Sequence, residues 1–171
     1  MITSNTSPII ALAKIGRLEI LKELYETVLI TLSVKEECID RGRELGASDV
    51  RYVERAIEEG WIKVVKLDMG QQRTVNRLIS KTKIGLGEAE ALVLVKGRNL
   101  LAILDDKEAR AIAKSWKVEH QGTAMVLYEA CVKGKLSYDQ LIEDLTKLSR
   151  VMWMSSDVIA EIVKRAKEVR S

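Results

Sequence analysis

Apolar positions along this chain fall into two patterns: short continuous runs, and longer stretches where they recur every three or four residues. Met1–Asn5 predicts a short strand ended by Thr6-Ser7-Pro8, and Pro8 suits the first turn of a helix, where its missing N–H costs nothing. Val28–Thr31 predicts a second strand, followed by Ser33-Val34-Lys35-Glu36, which has the spacing of a capping box opening a helix. Val50, Val53, Ile57 and Trp61 recur at helical spacing, and Ile62–Leu67 then reads as a strand. Gly85-Leu86-Gly87 breaks the chain before Glu88–Val95, apolar on most faces and therefore a buried helix. Asn99–Leu104 predicts a buried strand, Asp106–Lys117 a helix, Val118–Gln121 a last strand, and Gly122-Thr123 the opening of another helix. Ser137-Tyr138-Asp139-Gln140 is a further capping box. Leu141, Ile142, Leu145 and Leu148 form one apolar stripe beyond it, and Val158, Ile159, Ile162, Val163, Ala166 and Val169 a second.

Strand–helix alternation over residues 1–135 predicts the α/β class, a three-layer α/β/α sandwich with a mainly parallel sheet. The two terminal helices are expected on the sheet edge or on a partner. One domain spans 1–171, with about 1–135 as core and about 136–171 as a C-terminal helical extension. Composition agrees: 171 residues, 47% hydrophobic and 31% charged, with one proline and ten glycines, exclude disordered, collagen-like and linker-rich chains. Apolar runs such as Ala91–Val95 fall far short of the ~20 residues that span a bilayer. No basic, then apolar, then small-residue leader opens the chain, so a soluble cytoplasmic protein is expected, with no membrane partner. Cys38 and Cys131 are too few and too far apart for a disulfide framework or a zinc knuckle.

Composition also removes chemistries. His120 is the single histidine, which excludes a His-rich metal cage and leaves a Ser-His-Asp triad one candidate base. Phenylalanine is absent and aromatics are 4%, which argues against a stacking platform for bases. The net charge of +3 is uneven: residues 1–60 carry 8 basic and 11 acidic side chains, residues 71–117 carry 10 and 5. A basic middle segment can collect phosphates, although solvated lysines on helix faces are the commoner explanation.

In open parallel sheets, ligands sit beyond the carboxyl ends of the strands. Asn5 closes the first predicted strand, Glu36 and Glu37 lie near the start of the helix after the second, Glu88 opens the buried helix, and Asp105-Asp106 follows the fourth strand. Clustered carboxylates need a compensating cation, and oxygen-only donors favour Mg²⁺ or Mn²⁺, which activate water and clamp phosphodiesters. Against this stands the preference of acids for the first turn of helices and for N-caps.

Four linked blocks make the residues familiar. Ser4-Asn5-Thr6-Ser7-Pro8-Ile9-Ile10-Ala11-Leu12-Ala13-Lys14-Ile15-Gly16 resembles the opening of PIN-like nucleases, in the branch that begins with Asp or Asn before Thr-Ser-Pro. The resemblance continues through Ser33–Glu37, Gly85–Ala91 and Leu104–Arg110, with Gly122-Thr123 before a helix, and covers roughly residues 1–135. It implies an α/β/α sandwich whose acids bind Mg²⁺ or Mn²⁺ for RNA hydrolysis. It also implies a toxin-type role beside an antitoxin protein, and a homodimer or larger assembly. Carried over by motif, the metal positions are Asn5, Glu37, Glu88 and Asp106. Glu37, Glu88 and Asp106 are the catalytic acids, Asp105 assists, and Thr6, Ser7 and Thr123 are supporting hydroxyls. Most active PIN nucleases have an acid where this chain has Asn5. An amide oxygen coordinates a metal without supplying charge, so a weak or inactive module binding RNA or a protein is the alternative.

Other motifs fade on inspection. Gly85-Leu86-Gly87-Glu88-Ala89-Glu90 lacks the third glycine of a dinucleotide fingerprint and would set Glu88 against the pyrophosphate. No Gly-x-x-x-x-Gly-Lys segment exists. An acid pair as in phosphate-accepting receiver domains would follow the first strand, where Asn5 stands. His120 reads as a packed or hydrogen-bonded strand residue, and Trp61, Trp116 and Trp153 as core or interface. Lys107, Arg110 and Lys114 are candidate RNA-binding residues, with a solvated face, or Arg110 paired to Glu88 or an aspartate, as the alternative.

Overall fold

The computed structural model describes residues 1–170, with side chains through Glu168. In chain order the elements are β1 (Ile2–Ser4), α1 (Thr6–Lys14), α2 (Ile20–Tyr25), β2 (Val28–Thr31) and α3 (Leu32–Glu36). A π-helical turn (Glu37–Arg41) leads into α4 (Gly42–Glu44), then α5 (Val50–Glu58), β3 (Ile62–Val65), α6 (Met69–Lys81), α7 (Leu86–Val95) and β4 (Leu101–Ile103). The chain ends with α8 (Lys107–Ser115), β5 (His120–Gln121), α9 (Thr123–Val132), α10 (Tyr138–Val151) and α11 (Ser156–Arg170). Among the described residues, no helix is long and apolar enough to cross a membrane.

The five strands form one all-parallel sheet in the order β3-β2-β1-β4-β5. The class is α/β, as the alternation predicts. Successive strand residues face opposite sides, so the sheet buries two separate apolar clusters. Ile2, Val28, Ile30, Ile62 and Ile103 pack with α1, α2, α5 and α9 on one face. Leu29, Ala102 and Leu104 pack with α7 and α8 on the other, which explains why Ala91–Val95 is buried all round. Connections leaving β1 and β2 cross one face, and those leaving β3 and β4 cross the other. The winding therefore reverses between β1 and β4, and adjacent connections diverge there to open a crevice. Ser4 pairs with Ile103, so Asn5 and Leu104 leave the sheet side by side.

Several boundaries differ from the sequence reading. The capping box predicted at Ser33 does not form: α3 starts at Leu32 after Thr31, and the Ser33 hydroxyl donates to Glu90 instead. Tertiary packing against α7 outbids the local cap. β3 ends at Val65, two residues early, because Asp68 turns the chain into a real capping box with Gln71. β4 is trimmed to three residues and β5 to two, since each pairs only along its short neighbours. Helix α6 buries only Val75 completely, so it carries little periodic signal.

Ser137 and Gln140 do form their predicted box. The terminal helices do not lie on the sheet edge. α10 and α11 pack on α9, and α10 also on α1, adding a further layer over one face. Leu141, Leu145 and Leu148 of the first stripe and Ile162 and Ala166 of the second are buried, whereas Val158 is exposed. Val169 lies outside the described side chains. Arg17 Nε donates to Asp144 Oδ2 at 2.6 Å, fastening α10 to the turn between α1 and α2.

Candidate active site

Asn5 occupies the N-cap of α1 with extended backbone, yet its side chain makes no cap hydrogen bond. Local chemistry allows this. An Asn cap accepts from the second or third N–H of the helix, and the third residue here is Pro8, which has none. Asn5 Nδ2 instead donates to Glu88 Oε1 at 2.8 Å, a charge-assisted bond across the crevice. That bond fixes the amide, because the reverse orientation would set Oδ1 against a carboxylate. Asn5 is 1% exposed, and its Oδ1 is buried without a hydrogen-bond partner.

Glu88 is the third residue of α7, a helix with a bare Gly85 at its N-cap. Its carboxylate folds back over that glycine: a Cβ on Gly85 would stand 2.5 Å from Glu88 Oε2. Acids are favoured at this end of a helix, so the position is electrostatically cheap. Gly87, next to it, is buried against the β2 side of the crevice, where a Cβ would lie 3.5 Å from Thr6 Oγ1 and 3.7 Å from Glu37 Oε2. The tighter neighbour is Val34 Cγ2 at 3.3 Å, so what the bare glycine chiefly allows is the close packing of α7 on α3.

Glu37 opens the π-helical turn and accepts a hydrogen bond from the Thr6 hydroxyl. Glu36 is exposed. The widened turn, a feature common at functional sites, carries no signature in the residue pattern.

On the β4 side, Asp105 accepts from Thr123 N–H at 2.8 Å and from Thr123 Oγ1 at 2.6 Å, capping α9 from a neighbouring strand. Burial pushes its carboxyl above the usual range, against the opposing pull of Thr123 and the Arg110 charge. Gly122 permits this arrangement, since a Cβ there would meet Asp105 Oδ1 at 3.1 Å and an Arg110 guanidinium nitrogen at 3.5 Å. Arg110 thus faces Asp105, one of the partners the sequence offered. Asp106 is exposed and caps α8, its Oδ1 accepting from Ala109 N–H at 2.7 Å. Ser7 is exposed on the first turn of α1, and Lys107 and Lys114 are exposed on α8.

Asn5 and Glu88 are therefore in contact, as are Thr6 and Glu37, and Asp105 and Thr123. Asp106 and Ser7 stand outside these contacts. Among the described residues, no three His, Cys, Asp or Glu side chains converge closely enough to form a protein-only metal cage. Mg²⁺ seldom uses such a cage; it takes one or two carboxylates, with water and substrate phosphate completing its shell. The orphaned Asn5 Oδ1 beside Glu88 is a donor set of that sparse kind.

His120 Nδ1 lies 2.9 Å from Val118 O, a local strand-end contact. Trp61 is buried and Trp116 is half-buried beneath the Lys96 ammonium at 4.4 Å. Trp153 is not core: it is 86% exposed, which leaves the interface reading, of the two the sequence offered for the tryptophans.

Comparison with known proteins adds the family. None of the curated proteins compared with this chain matches it. A family model described as a PIN domain matches residues 1–168, through the C-terminal helices that the sequence resemblance left outside. With its all-parallel sheet and a match over nearly its whole length, this chain belongs to the PIN domain family, whose fold is of the nuclease type.

Proposed function

We propose that this protein is a Mg²⁺- or Mn²⁺-dependent endoribonuclease acting at the β1–β4 crevice. The observation that carries the reading is the Asn5–Glu88 hydrogen bond, with the buried Asn5 Oδ1 left free at the point where the winding reverses. Asn5 and Glu88 would hold the ion directly, with Glu37 and Asp106 reaching it through water, and the ion would supply an activated water and charge neutralisation at the phosphodiester. Asp105 positions Thr123 and the start of α9. Arg110 and Lys107 offer charge to flanking phosphates, and three helix N-termini (α1, α7 and α9) favour an anion at the same rim. The family resemblance extends the reading to a cytoplasmic toxin restrained by an antitoxin protein and working as a homodimer.

One specific observation favours the alternative, a weak or inactive module that binds RNA or protein. Asn5 brings an amide where an acid would add charge, and it occupies Glu88 with a hydrogen bond. Incubating unstructured RNA with Mn²⁺, with chelator, and with the Glu88→Gln protein separates the two. Cleavage that needs both Mn²⁺ and Glu88 supports the nuclease; RNA binding without cleavage under any of these conditions establishes the module.

A further inference from the structure

A cavity of about 130 Å³ opens beside the crevice, between the start of α8, the start of α9 and the link from α10 to α11. Its polar wall carries Asp105 and Arg110, the pair that Gly122 allows to approach. Its apolar wall carries Met125, Met152, Trp153 and Met154. Trp153 stands in the short non-helical link after Val151, and 86% of it is exposed. An indole left in water beside three polarizable thioethers and a guanidinium is an unused flat surface.

We propose that this cavity is a base-binding subsite, in which one unstacked nucleobase of single-stranded RNA lies on Trp153 while its phosphate meets Arg110. The proposal rests on the ribonuclease reading and deepens it. Every base offers a π-face, and stacking on an exposed aromatic is tolerant of sequence. Thioethers fit irregular planar partners because they are soft and adaptable. Arg110 provides the anion-binding end, and its neighbour Asp105 places the cavity at the rim where the phosphodiester would be cut. Low aromatic content argues against a stacking platform for bases, and this subsite departs from that expectation in needing only one ring, at the edge of the site, for one base. The C-terminal extension thereby gains a task, since it delivers Trp153 to the rim.

The test needs no metal. Single-stranded oligouridylate is titrated into metal-free wild-type, Trp153→Tyr and Trp153→Ala proteins, and compared with a ribose-phosphate oligomer of equal length lacking bases. Oligouridylate should quench a component of the wild-type tryptophan emission that Trp153→Tyr lacks. Trp153→Ala should bind it roughly tenfold more weakly, with Trp153→Tyr retaining most of the affinity. The abasic oligomer should bind all three proteins alike. Because Trp153 is exposed, the variants should melt with the wild type. Equal oligouridylate affinity in wild type and Trp153→Ala overturns the subsite. So does loss of self-association in Trp153→Ala with RNA affinity unchanged, which assigns the ring to a protein contact. Mn²⁺-dependent cleavage with a KM indifferent to Trp153 removes the subsite and leaves the nuclease standing. Ring-dependent binding by a wild type that cleaves nothing keeps the subsite and removes the nuclease.

Discussion

Asn5 and Glu88 are joined by a 2.8 Å hydrogen bond from amide to carboxylate, although 83 residues separate them in sequence. The bond ties the end of β1 to the first turn of α7 and leaves the amide oxygen buried without a partner. A carboxylate held by an amide is stabilised without a cation, so the metal-free protein tolerates its own site.

Asn5→Asp removes that donor and sets two carboxylates against each other in a buried place. The metal-free protein should lose about 2–3 kcal/mol, the worth of a hydrogen bond to a charged group plus added repulsion. Mn²⁺ should bind more tightly than in the wild type. Thermal melts with and without Mn²⁺ measure both effects, and an unchanged or smaller metal-induced shift would refute the role given to Asn5.

Glu36 and Glu37 are adjacent but not equivalent. Glu36 is exposed, and Glu37 accepts from Thr6. Glu36→Gln should therefore leave stability within about 0.5 kcal/mol of wild type and preserve the Mn²⁺-induced shift in melting temperature. Glu37→Gln should fold and lose that shift. If the shift survives in Glu37→Gln, the π-helical turn has no part in metal binding.

Asp105 and Asp106 separate structure from chemistry. Asn caps a helix as well as Asp does, so Asp106→Asn should melt with the wild type while losing Mn²⁺-dependent RNA cleavage. Asp105→Ala strands the Thr123 N–H and hydroxyl in a buried setting and should cost about 2–4 kcal/mol. Asp105→Asn should show a milder loss of activity than Asp106→Asn. Full cleavage by Asp106→Asn would exclude that carboxylate from the metal shell.

Tyr25 donates to Glu129 and accepts from Gln121 Nε2 at 2.7 Å. Burial, reinforced by the Glu129 bond and charge, pushes its phenol far above the ordinary value. The folded protein then keeps a proton that the unfolded chain releases above about pH 10, so this stability is complete below that pH. It is lost at about 1.4 kcal/mol per pH unit as pH rises toward the folded value. Tyr25→Phe should be weaker by about 1 kcal/mol at neutral pH and show a flatter alkaline limb. Urea titrations at about pH 7 and about pH 11 would detect the crossover. A parallel alkaline decline in both proteins would place the lost proton elsewhere.

Arg17 holds Asp144, a carboxylate with no exposed side-chain surface. Removing one partner of such a pair leaves a buried charge, so Arg17→Met should destabilise the protein by about 3 kcal/mol, with Arg17→Met/Asp144→Leu recovering much of it. Denaturant midpoints decide this. A double variant no better than the single would mean that Asp144 is not the source of the cost.

The α/β class, the strand positions of Val28–Thr31 and the buried helix ending at Val95 were legible from hydrophobic period alone, because each follows from burial on one or both faces. The Ser137–Gln140 cap was legible too, since both partners lie within one helical turn. Motif spacing nominated Asn5, Glu37, Glu88 and Asp105-Asp106. Sequence could not say what those side chains touch. Pro8 frees Asn5 from its own helix, but only the β1–β4 register and the return of α7 bring Glu88 to it. Ser33 had two partners available, a local helix end and distant Glu90, and packing chose the distant one. The π-helical turn at Glu37 and the exposure of Trp153 depend on how α7 and the C-terminal helices seat against the rest. Local preferences amount to about 1 kcal/mol each and are readable along the chain, whereas contacts between residues far apart are decided only when the layers close and water leaves.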